Sequence, residues 1–275
     1  GGPGLVRAAY SSGKPAFGVG PGNAPAFIER TANVKKAVRD VLAGKTFDHG
    51  LLCSSEQAIV CDLPIEEAVL AELERNHAYF LDDKERAMLE RLIQLPQGGL
   101  NTAIVGKSPQ FIAESAGFSV PDEVVCLVGR ASGVGREHPL SMEKLSPILA
   151  FFVEDGWESG CERCIEILNF GGLGHTLGIH SKDEEIIMEF GLHKPAHRIC
   201  VNTSTTHGSM GLTTGVPPSM TLGCGTPGGN ITSDNITPLH LINVKRLARE
   251  TRRIEDITFD PVDDEKDIDE TPQPE

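Results

Sequence analysis

Between residues 124 and 202 the sequence alternates between short apolar runs and longer amphipathic stretches. The apolar runs have the length of strands, and the stretches between them have the spacing of helices that bury one face. We predict strands over residues 124–129, 147–153, 175–180 and 198–202, and helices over residues 158–170 and 182–190. Strands separated by helices of this length form a parallel sheet with helices on its faces, so the predicted fold class is α/β.

A further helix is predicted over residues 31–44, where apolar side chains recur at helical spacing. Thr31 is placed to cap its first turn, and Gly44 is placed to adopt the left-handed conformation that ends a helix. Near the other end of the chain, residues 239–249 are predicted to form a last helix.

Two more amphipathic helices are predicted between these regions, over residues 64–76 and 82–95. Asp82 or Asp83 can cap the second of them, because an aspartate oxygen accepts hydrogen bonds from the free N–H groups of a first turn.

Composition excludes several classes of protein. A chain of 275 residues with 39% hydrophobic content can bury a large core. Its longest apolar stretches, such as residues 147–153, are much shorter than the roughly 20 residues of a membrane-spanning helix. Basic residues are not clustered as in nucleic-acid-binding proteins. We therefore expect a globular protein with neither a membrane nor a nucleic-acid partner.

The cysteines indicate the cellular compartment of the protein, and the start of the chain indicates whether it is part of a longer one. Seven cysteines at irregular spacing, in a chain this long, favour a reducing compartment over a disulfide framework, so a cytoplasmic location is expected. The chain starts at Gly1 without the pattern of a signal peptide, which indicates a piece of a longer protein.

The net charge of -14 is concentrated at the carboxyl end of the chain. Residues 255–275 include 10 acidic side chains and one lysine. Such a composition cannot bury enough apolar surface to fold, so residues 251–275 are predicted to be a solvated, disordered tail rather than a docking peptide.

Cys53 is the candidate nucleophile. It lies in LLCSSEQ, after the helix predicted over residues 31–44 and a loop. Backbone N–H groups at such a position can lower the pKa of a thiol and supply the thiolate that acts as a nucleophile. The alternative is that this cysteine is a small core residue, as is expected for Cys61, Cys126 and Cys200 in or beside apolar strands.

Two other features look like ligand sites but lack the rest of a known motif. Cys161 and Cys164 form a CxxC pair without the second pair of ligands that structural zinc requires, so no metal site is predicted. The run LGCGTPGGN lacks the Lys-Ser/Thr of a phosphate-binding loop, and a structural role is preferred for it.

Five segments together identify a family. They are, in order along the chain, FGVGPGNAPAFIERTANVKKAV, TFDHGLLCSSEQ, MEKLSPILAFF, NFGGLGHTLGIHS and PSMTLGCGTPGGNITSDN. Residues 1 to about 248 resemble the CoA-acylating aldehyde dehydrogenases, in particular the aldehyde dehydrogenase half of bifunctional aldehyde-alcohol dehydrogenases, with enzymes of bacterial microcompartments close by. The resemblance implies the aldehyde dehydrogenase fold, with the catalytic domain and a remnant of the Rossmann-like cofactor domain.

The resemblance also implies roles for single residues. Cys53 matches the nucleophile that carries the acyl group, and His175 matches a histidine that could take a proton from the CoA thiol. A structural role for His175 is an equal alternative. Glu143 matches the glutamate that binds the ribose next to the nicotinamide of NAD, and Leu145 follows it in the same motif.

Glycines are the other cofactor-binding residues that the resemblance implies. Gly1 and Gly2 match the end of a loop that meets the cofactor closely, and Gly20 lies in the next glycine-rich segment. A glycine permits such a close approach because it has no side chain.

Val19 indicates the type of reaction. Hydrolytic aldehyde dehydrogenases have a glutamate in the segment Glu-Leu-Gly-Gly-Lys, and alignment places Val19 at that position. Valine cannot act as a base toward water. The acyl group on Cys53 is therefore expected to persist until the thiol of CoA attacks it.

The expected domains are the cofactor-domain remnant, the catalytic domain, a segment that returns to the cofactor domain and an oligomer interface, and the acidic tail: residues 1–28, 29–205, 206–250 and 251–275. The reaction that the resemblance implies converts a short aldehyde such as acetaldehyde, with CoA and NAD, into acyl-CoA and NADH in a homo-oligomer. One alternative is an incomplete, inactive chain with a structural role. Another is the same chemistry on propanal or sulfoacetaldehyde, or inside a bacterial microcompartment.

Overall fold

A single parallel sheet of seven strands organises the chain. The computed structural model describes residues 2–258. The strands are β1 (Ala24–Ile28), β2 (Glu56–Asp62), β3 (Ala78–Phe80), β4 (Cys126–Arg130), β5 (Ile148–Glu154), β6 (Gly174–His180) and β7 (Ala196–Val201). Their order is β3-β4-β5-β2-β1-β6-β7, and every neighbouring pair is parallel. The predicted α/β class is confirmed.

Helices cover this sheet. They are α1 (Pro3–Tyr10), α2 (Val34–Thr46), α3 (Glu66–Arg75), α4 (Asp83–Ile93), α5 (Pro109–Ala116), α6 (Trp157–Ile167), α7 (Glu184–His193) and α8 (Thr205–Ser209). Within residues 2–258, none of the helices is long and apolar enough to cross a membrane.

The core lies on both faces of the sheet. In β1, Phe27 packs into the cluster on one face, while Ala26 and Ile28 pack into the cluster on the other. Because successive side chains of a strand point to opposite faces, a strand in the middle of such a sheet is apolar throughout. All five residues of β1 and all seven of β2 are buried accordingly.

The four predicted strands are present, with bounds that differ by one or two residues. The sequence analysis did not identify β1, β2 and β3. The first begins beside a proline, the second begins with polar residues that fold into the interior, and the third has three residues. None of them therefore has the pattern of a long apolar strand.

The ends of the predicted helices were correct only in part. Asp82 caps α4 in a complete capping box with Glu85, as predicted. The prediction for α2 was wrong at both ends, because Asn33 caps it and the helix continues through Gly44 to Thr46.

The predicted helix over residues 239–249 was wrong. The structure has a 3-10 turn at Pro238–Leu241 and no regular helix after it up to residue 249. Its apolar side chains are exposed, with Leu247 at 82%. An isolated segment of this length cannot hold a helix without burying its apolar face.

The structure corrects two of the expected boundaries. A boundary at residue 28 would separate β1 from β2 and β6, its neighbours in the sheet, so residues 24–28 belong with the catalytic sheet. The first of two compact units continues to His240 and includes residues 206–240, and the second begins at Leu241. Of the predicted tail, residues 251–258 are exposed and residues 259–275 lie outside the described part.

Candidate active site

The candidate site lies where four neighbouring strands begin. Gly22 precedes β1, Cys53 precedes β2, Glu143 lies in the loop before β5, and His175 is the second residue of β6. The order β5-β2-β1-β6 brings these loops side by side at the amino edge of the sheet. Four segments that are far apart in the sequence therefore meet at one place.

Gly22 is the point at which the other three residues converge. Its N–H donates a hydrogen bond of 2.9 Å to Oε1 of Glu143. A Cβ at this position would overlap the carbonyl oxygen of Cys53 and would lie 3.3 Å from Cδ2 of His175. The close packing requires glycine, because any larger residue would push the nucleophile's loop away.

Cys53 is a free, half-buried cysteine in the turn before β2. Burial first, and then the nearby Glu143 carboxyl and Cys224 thiol, raise the pKa of its thiol to about 11. The expectation that its surroundings lower the pKa was wrong for the resting protein, because withdrawal from water and neighbouring acids outweigh the backbone N–H groups. The sulfur is protonated at pH 7.

Three other cysteines fit a structural role. Cys61, Cys126 and Cys200 are buried in strands, as the sequence analysis expected. Within residues 2–258, no group of three His, Cys, Asp or Glu side chains could hold a metal ion.

His175 is fully buried beside Gly22. Its Nδ1 lies 2.9 Å from Oγ1 of Thr176, and Nε2 has no hydrogen-bond partner in the described part of the chain. Burial first, and then the positive charge of Arg198, lower the pKa of the imidazole to about 3. The ring is neutral at pH 7, and it is a weak base in the resting protein.

The pKa of Glu143 is shifted upward, in contrast to that of His175. Burial raises the pKa of its carboxyl to about 7, and the Gly22 N–H and the buried Lys45 partly offset this effect. Leu145 adopts a positive φ of 49°, and its carbonyl accepts a hydrogen bond of 2.9 Å from the N–H of Gly106. This conformation turns the chain between Glu143 and β5.

The predicted cofactor glycines are less well defined. Gly1 lies outside the described residues, and the position of a Cβ on Gly2, the N-cap of α1, has no neighbour within 4 Å among the described atoms. Gly20 is buried: its N–H donates to Oδ1 of Asn230 at 3.3 Å, and a Cβ there would lie 3.4 Å from the carbonyl oxygen of Gly228. The cofactor role of all three stays a prediction.

The glycine-rich run at residues 222–230 forms one wall of the site. Asn230 accepts hydrogen bonds from the N–H groups of both Cys224 and Gly20, at 2.8 and 3.3 Å. A Cβ on Gly174 would overlap the carbonyl oxygen of Cys224. This packing agrees with the structural role that the sequence analysis preferred for the run.

Several residues of the site were not identified from the sequence: Gly22, Arg198, Cys224 and Asn230. The first, third and fourth occur inside the segments that carry the family resemblance, but nothing in those segments distinguishes them from their neighbours. Arg198 lies inside a predicted strand, where an arginine among apolar residues was the one signal that could have been noticed.

Comparisons with known proteins agree with this architecture. No family model matches the chain. The aldehyde-alcohol dehydrogenase of Streptococcus pneumoniae is 41% identical over 258 residues, which cover 90% of this chain and 29% of that protein. The crystal structure of an acetylating aldehyde dehydrogenase from Geobacillus thermoglucosidasius has a TM-score of 0.89 and 52% identity over 92% of this chain and 56% of that one.

A second similar structure contains ligands. It is the propionaldehyde dehydrogenase of Rhodopseudomonas palustris with bound CoA and an acylated cysteine, which has a TM-score of 0.75 and 29% identity and covers 85% of this chain and 52% of that one. The fold of this chain is that of the aldehyde dehydrogenases among these solved structures. Within that class, the chain is a homologue of the acylating aldehyde dehydrogenases, as its sequence motifs predicted. It spans about a third of the length of the bifunctional relatives and about half that of the solved structures.

Proposed function

We propose that this chain carries the acyl-transfer centre of a CoA-acylating aldehyde dehydrogenase, with Cys53 as the nucleophile. One observation carries the proposal: a half-buried free thiol lies against Gly22, which also contacts Glu143 and His175. A nucleophile needs an accessible sulfur with groups beside it that bind and orient the reactants. The similar Rhodopseudomonas structure, with its bound CoA and acylated cysteine, supports the same chemistry.

In the proposed reaction, the sulfur of Cys53 loses its proton and attacks the carbonyl carbon of a short aldehyde such as acetaldehyde to form a thiohemiacetal. NAD, when bound, supplies the acceptor for the hydride that leaves this carbon. A thioester on Cys53 remains. The sulfur of CoA then attacks the thioester, acyl-CoA leaves, and Cys53 is restored.

The groups around Cys53 fit these steps. Oε1 of Glu143 is held by the Gly22 N–H, and its other oxygen can accept a hydrogen bond from a ribose hydroxyl. The proton of the CoA thiol is proposed to pass to His175, whose neutral ring has an unpaired Nε2 among the described residues. A negative sulfur beside this ring would raise the low pKa that burial gives it.

Val19 is proposed to protect the thioester from water. It is buried, with 9% of its surface exposed, in the segment that leads to Gly20 and Gly22. An apolar side chain at this position cannot activate water, so the thiol of CoA becomes the acceptor. NAD as the nucleotide, a cytoplasmic location and a homo-oligomer complete the proposal.

The half-reaction with acyl-CoA tests the function without nucleotide. Incubation with isotopically labelled acetyl-CoA should transfer the acetyl group to Cys53 and release free CoA, as mass spectrometry of peptides would show. Cys53→Ser should abolish the labelling and leave the fold intact, because a single atom changes. Label on Cys61 instead of Cys53 would refute the assignment.

The oxidation half of the proposed reaction needs a separate test, which is NADH absorbance with acetaldehyde and CoA. Acyl labelling of Cys53 without NADH formation would mean that the acyl-transfer centre is present and the nucleotide site is not.

A further inference from the structure

Lys144 is a lysine with no exposed surface, and it follows Glu143 directly in the chain. Its Nζ donates hydrogen bonds to three backbone carbonyl oxygens: that of Leu140 at 2.6 Å, that of Met142 at 2.8 Å and that of Gln57 at 3.1 Å. An ammonium group has three N–H donors, so each donor has one acceptor. The charged form of the side chain therefore fits the space between these three oxygens.

The burial of this ammonium group is costly. None of the ion pairs found over residues 2–258 includes Lys144. A positive charge that is taken out of water without a carboxylate beside it destabilises the folded protein, and an apolar side chain of similar length would avoid that cost. A function that needs the three hydrogen bonds would explain why the chain has a lysine at this position.

Gln57, the partner of Lys144 that is most distant in the sequence, lies at an irregularity of β2. The two residues that flank it pair with consecutive residues of β1, so Gln57 is the extra residue of a β-bulge. Lys144 holds it twice, because the lysine N–H also donates a hydrogen bond of 3.0 Å to Oε1 of Gln57. Bulges occur often beside active sites, and this one comes four residues after Cys53.

These hydrogen bonds anchor the loop that carries Glu143. Leu140 and Met142 lie in that loop, and their carbonyl groups point inward to the ammonium group of Lys144. The Glu143 carboxylate is held separately, because its Oε1 accepts the hydrogen bond of 2.9 Å from the N–H of Gly22. The position of the carboxylate therefore depends on a loop that Lys144 binds to β2.

The turn of Cys53 has an anchor that does not involve this lysine. Glu56, the first residue of β2, accepts a hydrogen bond of 2.6 Å from the N–H of Thr205. The strand is also paired with β1 from this first residue onward. Loss of the Lys144 ammonium group should therefore free the loop of Glu143 more than it frees the nucleophile.

We propose that Lys144 is a positioning residue that anchors the loop of Glu143 to the bulge of β2 and so keeps the Glu143 carboxylate at the N–H of Gly22. The inference rests on the proposed function for the use of that carboxylate, which is to hold the ribose of the nucleotide beside Cys53. Lys144 touches no reactant and transfers no proton. Hydride transfer should need this placement, and acyl transfer between Cys53 and CoA should not.

Hydrogen exchange of the Gly22 amide measures the placement without any reactant. The N–H is protected while the Glu143 carboxylate accepts its hydrogen bond, and NMR follows its exchange with deuterated solvent. The full chain is compared with Lys144→Met, which removes the three donors and keeps nearly the length of the side chain. Glu143→Ala, which removes the acceptor, gives the rate of an unheld amide, and Lys35→Met, at an exposed position of α2, is the matched control.

We expect the Gly22 amide to exchange at least about tenfold faster in Lys144→Met than in the unchanged chain, and Lys35→Met to match the unchanged chain. Lys144→Met combined with Glu143→Ala should exchange no faster than Glu143→Ala alone, because both changes remove the same hydrogen bond. Amides inside β6 should keep their rates. If Lys144→Met fails to fold, Lys144→Gln, which keeps an N–H donor group, should give a smaller increase at the same amide.

The two half-reactions measure the consequence for function. In Lys144→Met, labelling of Cys53 by acetyl-CoA should stay within about threefold of the rate in the unchanged chain. The KM for NAD in the formation of NADH from acetaldehyde should rise about tenfold, because the carboxylate that binds the ribose is no longer held in place. A residue that only stabilised the fold would lower both activities together.

Three results would overturn the inference. In the first, the Gly22 amide exchanges at the same rate in Lys144→Met and in the unchanged chain. In the second, amides throughout the sheet exchange faster together, which would mean that the lysine only stabilises the fold. In the third, acyl labelling of Cys53 falls as much as NADH formation. Absence of acyl labelling in the unchanged chain would instead count against the proposed function, and the Gly22 amide would still test the role of Lys144.

Discussion

The resting state of Cys53 is a protonated thiol beside a neutral imidazole. Burial raises the pKa of one group to about 11 and lowers that of the other to about 3, so both lose their charged forms at pH 7. Low dielectric penalises any isolated charge, whichever its sign. Cys53 and His175 are therefore both uncharged in the resting protein, and a protonated thiol is oxidised less readily than a thiolate.

At the residue scale, substitution of Val19 tests whether the acyl group on Cys53 is hydrolysed or waits for CoA. Val19→Glu should increase release of free acetate from the acetylated chain by at least about tenfold, because a buried carboxyl has a raised pKa and can act as a base toward water. Acetate release without CoA is the measurement. Val19→Gln has nearly the same shape and no basic group, so equal release by both variants would contradict the alignment of this segment.

At the scale of elements, the position of the site departs from the common pattern. Ligands of open parallel sheets usually bind at the carboxyl ends of the strands. Here the loops that precede β1, β2 and β5 bring Gly22, Cys53 and Glu143 together at the amino ends. The segments were identified from their motifs, but their meeting depends on strand order, which the local pattern does not specify.

The junction of α2, β2 and α8 shows why Gly44 is glycine. A Cβ there would overlap the carboxylate of Glu56 and the hydroxyl of Ser204. The sequence analysis expected this glycine to end the helix, but its backbone stays helical and its missing side chain makes room for a buried acid. Oε1 of that acid accepts a hydrogen bond of 2.6 Å from the N–H of Thr205.

Glu56 predicts a pH dependence at this junction. Burial raises the pKa of its carboxyl from the ordinary value of 4.5 to about 7. The folded state therefore holds this proton more tightly than the unfolded state, so the contribution of Glu56 to stability is full below pH 4.5 and is lost as the pH rises to 7. Glu56→Gln can still accept the hydrogen bond from the N–H of Thr205, and it should remove this pH-dependent loss of stability.

The measurement is the melting temperature of both chains at pH 5 and pH 8. The melting temperature of Glu56→Gln relative to that of the unchanged chain should be higher at pH 8 than at pH 5. Asp183→Asn, at the partly exposed N-cap of α7, controls for general effects of removing an acidic charge. A difference that is the same at both pH values would contradict the raised pKa.

At the scale of the whole molecule, β1 links the two faces of the sheet. Phe27 is fully buried and stacks on Phe190 of α7, with ring centroids 5.2 Å apart. Gly160 of α6 leaves room for the ring, because a Cβ there would lie within contact distance of it. The central strand and two covering helices therefore meet at one side chain.

Phe27→Ala should lower the free energy of unfolding by about 3–5 kcal/mol, because it removes a buried ring and leaves a cavity under two helices. Urea unfolding followed by circular dichroism measures this change. Phe111→Ala, at a position that is 45% exposed, is the control and should cost about 1 kcal/mol or less. Equal losses for both variants would mean that β1 is not central to the core.

The sequence by itself determined the α/β class, the four strands between residues 124 and 202, the cap of α4 and the family of relatives. Hydrophobic periodicity, capping and motifs are local, so they can be read along the chain. The tertiary structure alone decided that β1 and β2 are central strands, because polar residues and a proline at their beginnings hide strands that burial on both faces stabilises.

Tertiary structure also decided the chemistry of the site. Cys53 was proposed as the nucleophile from its motif, but its raised pKa, its contact with Gly22 and the lowered pKa of His175 depend on what surrounds each group. Burial and Coulomb interactions act between segments that are distant in the sequence. A candidate nucleophile can therefore be proposed from the chain, while its ionisation is a property of the folded molecule.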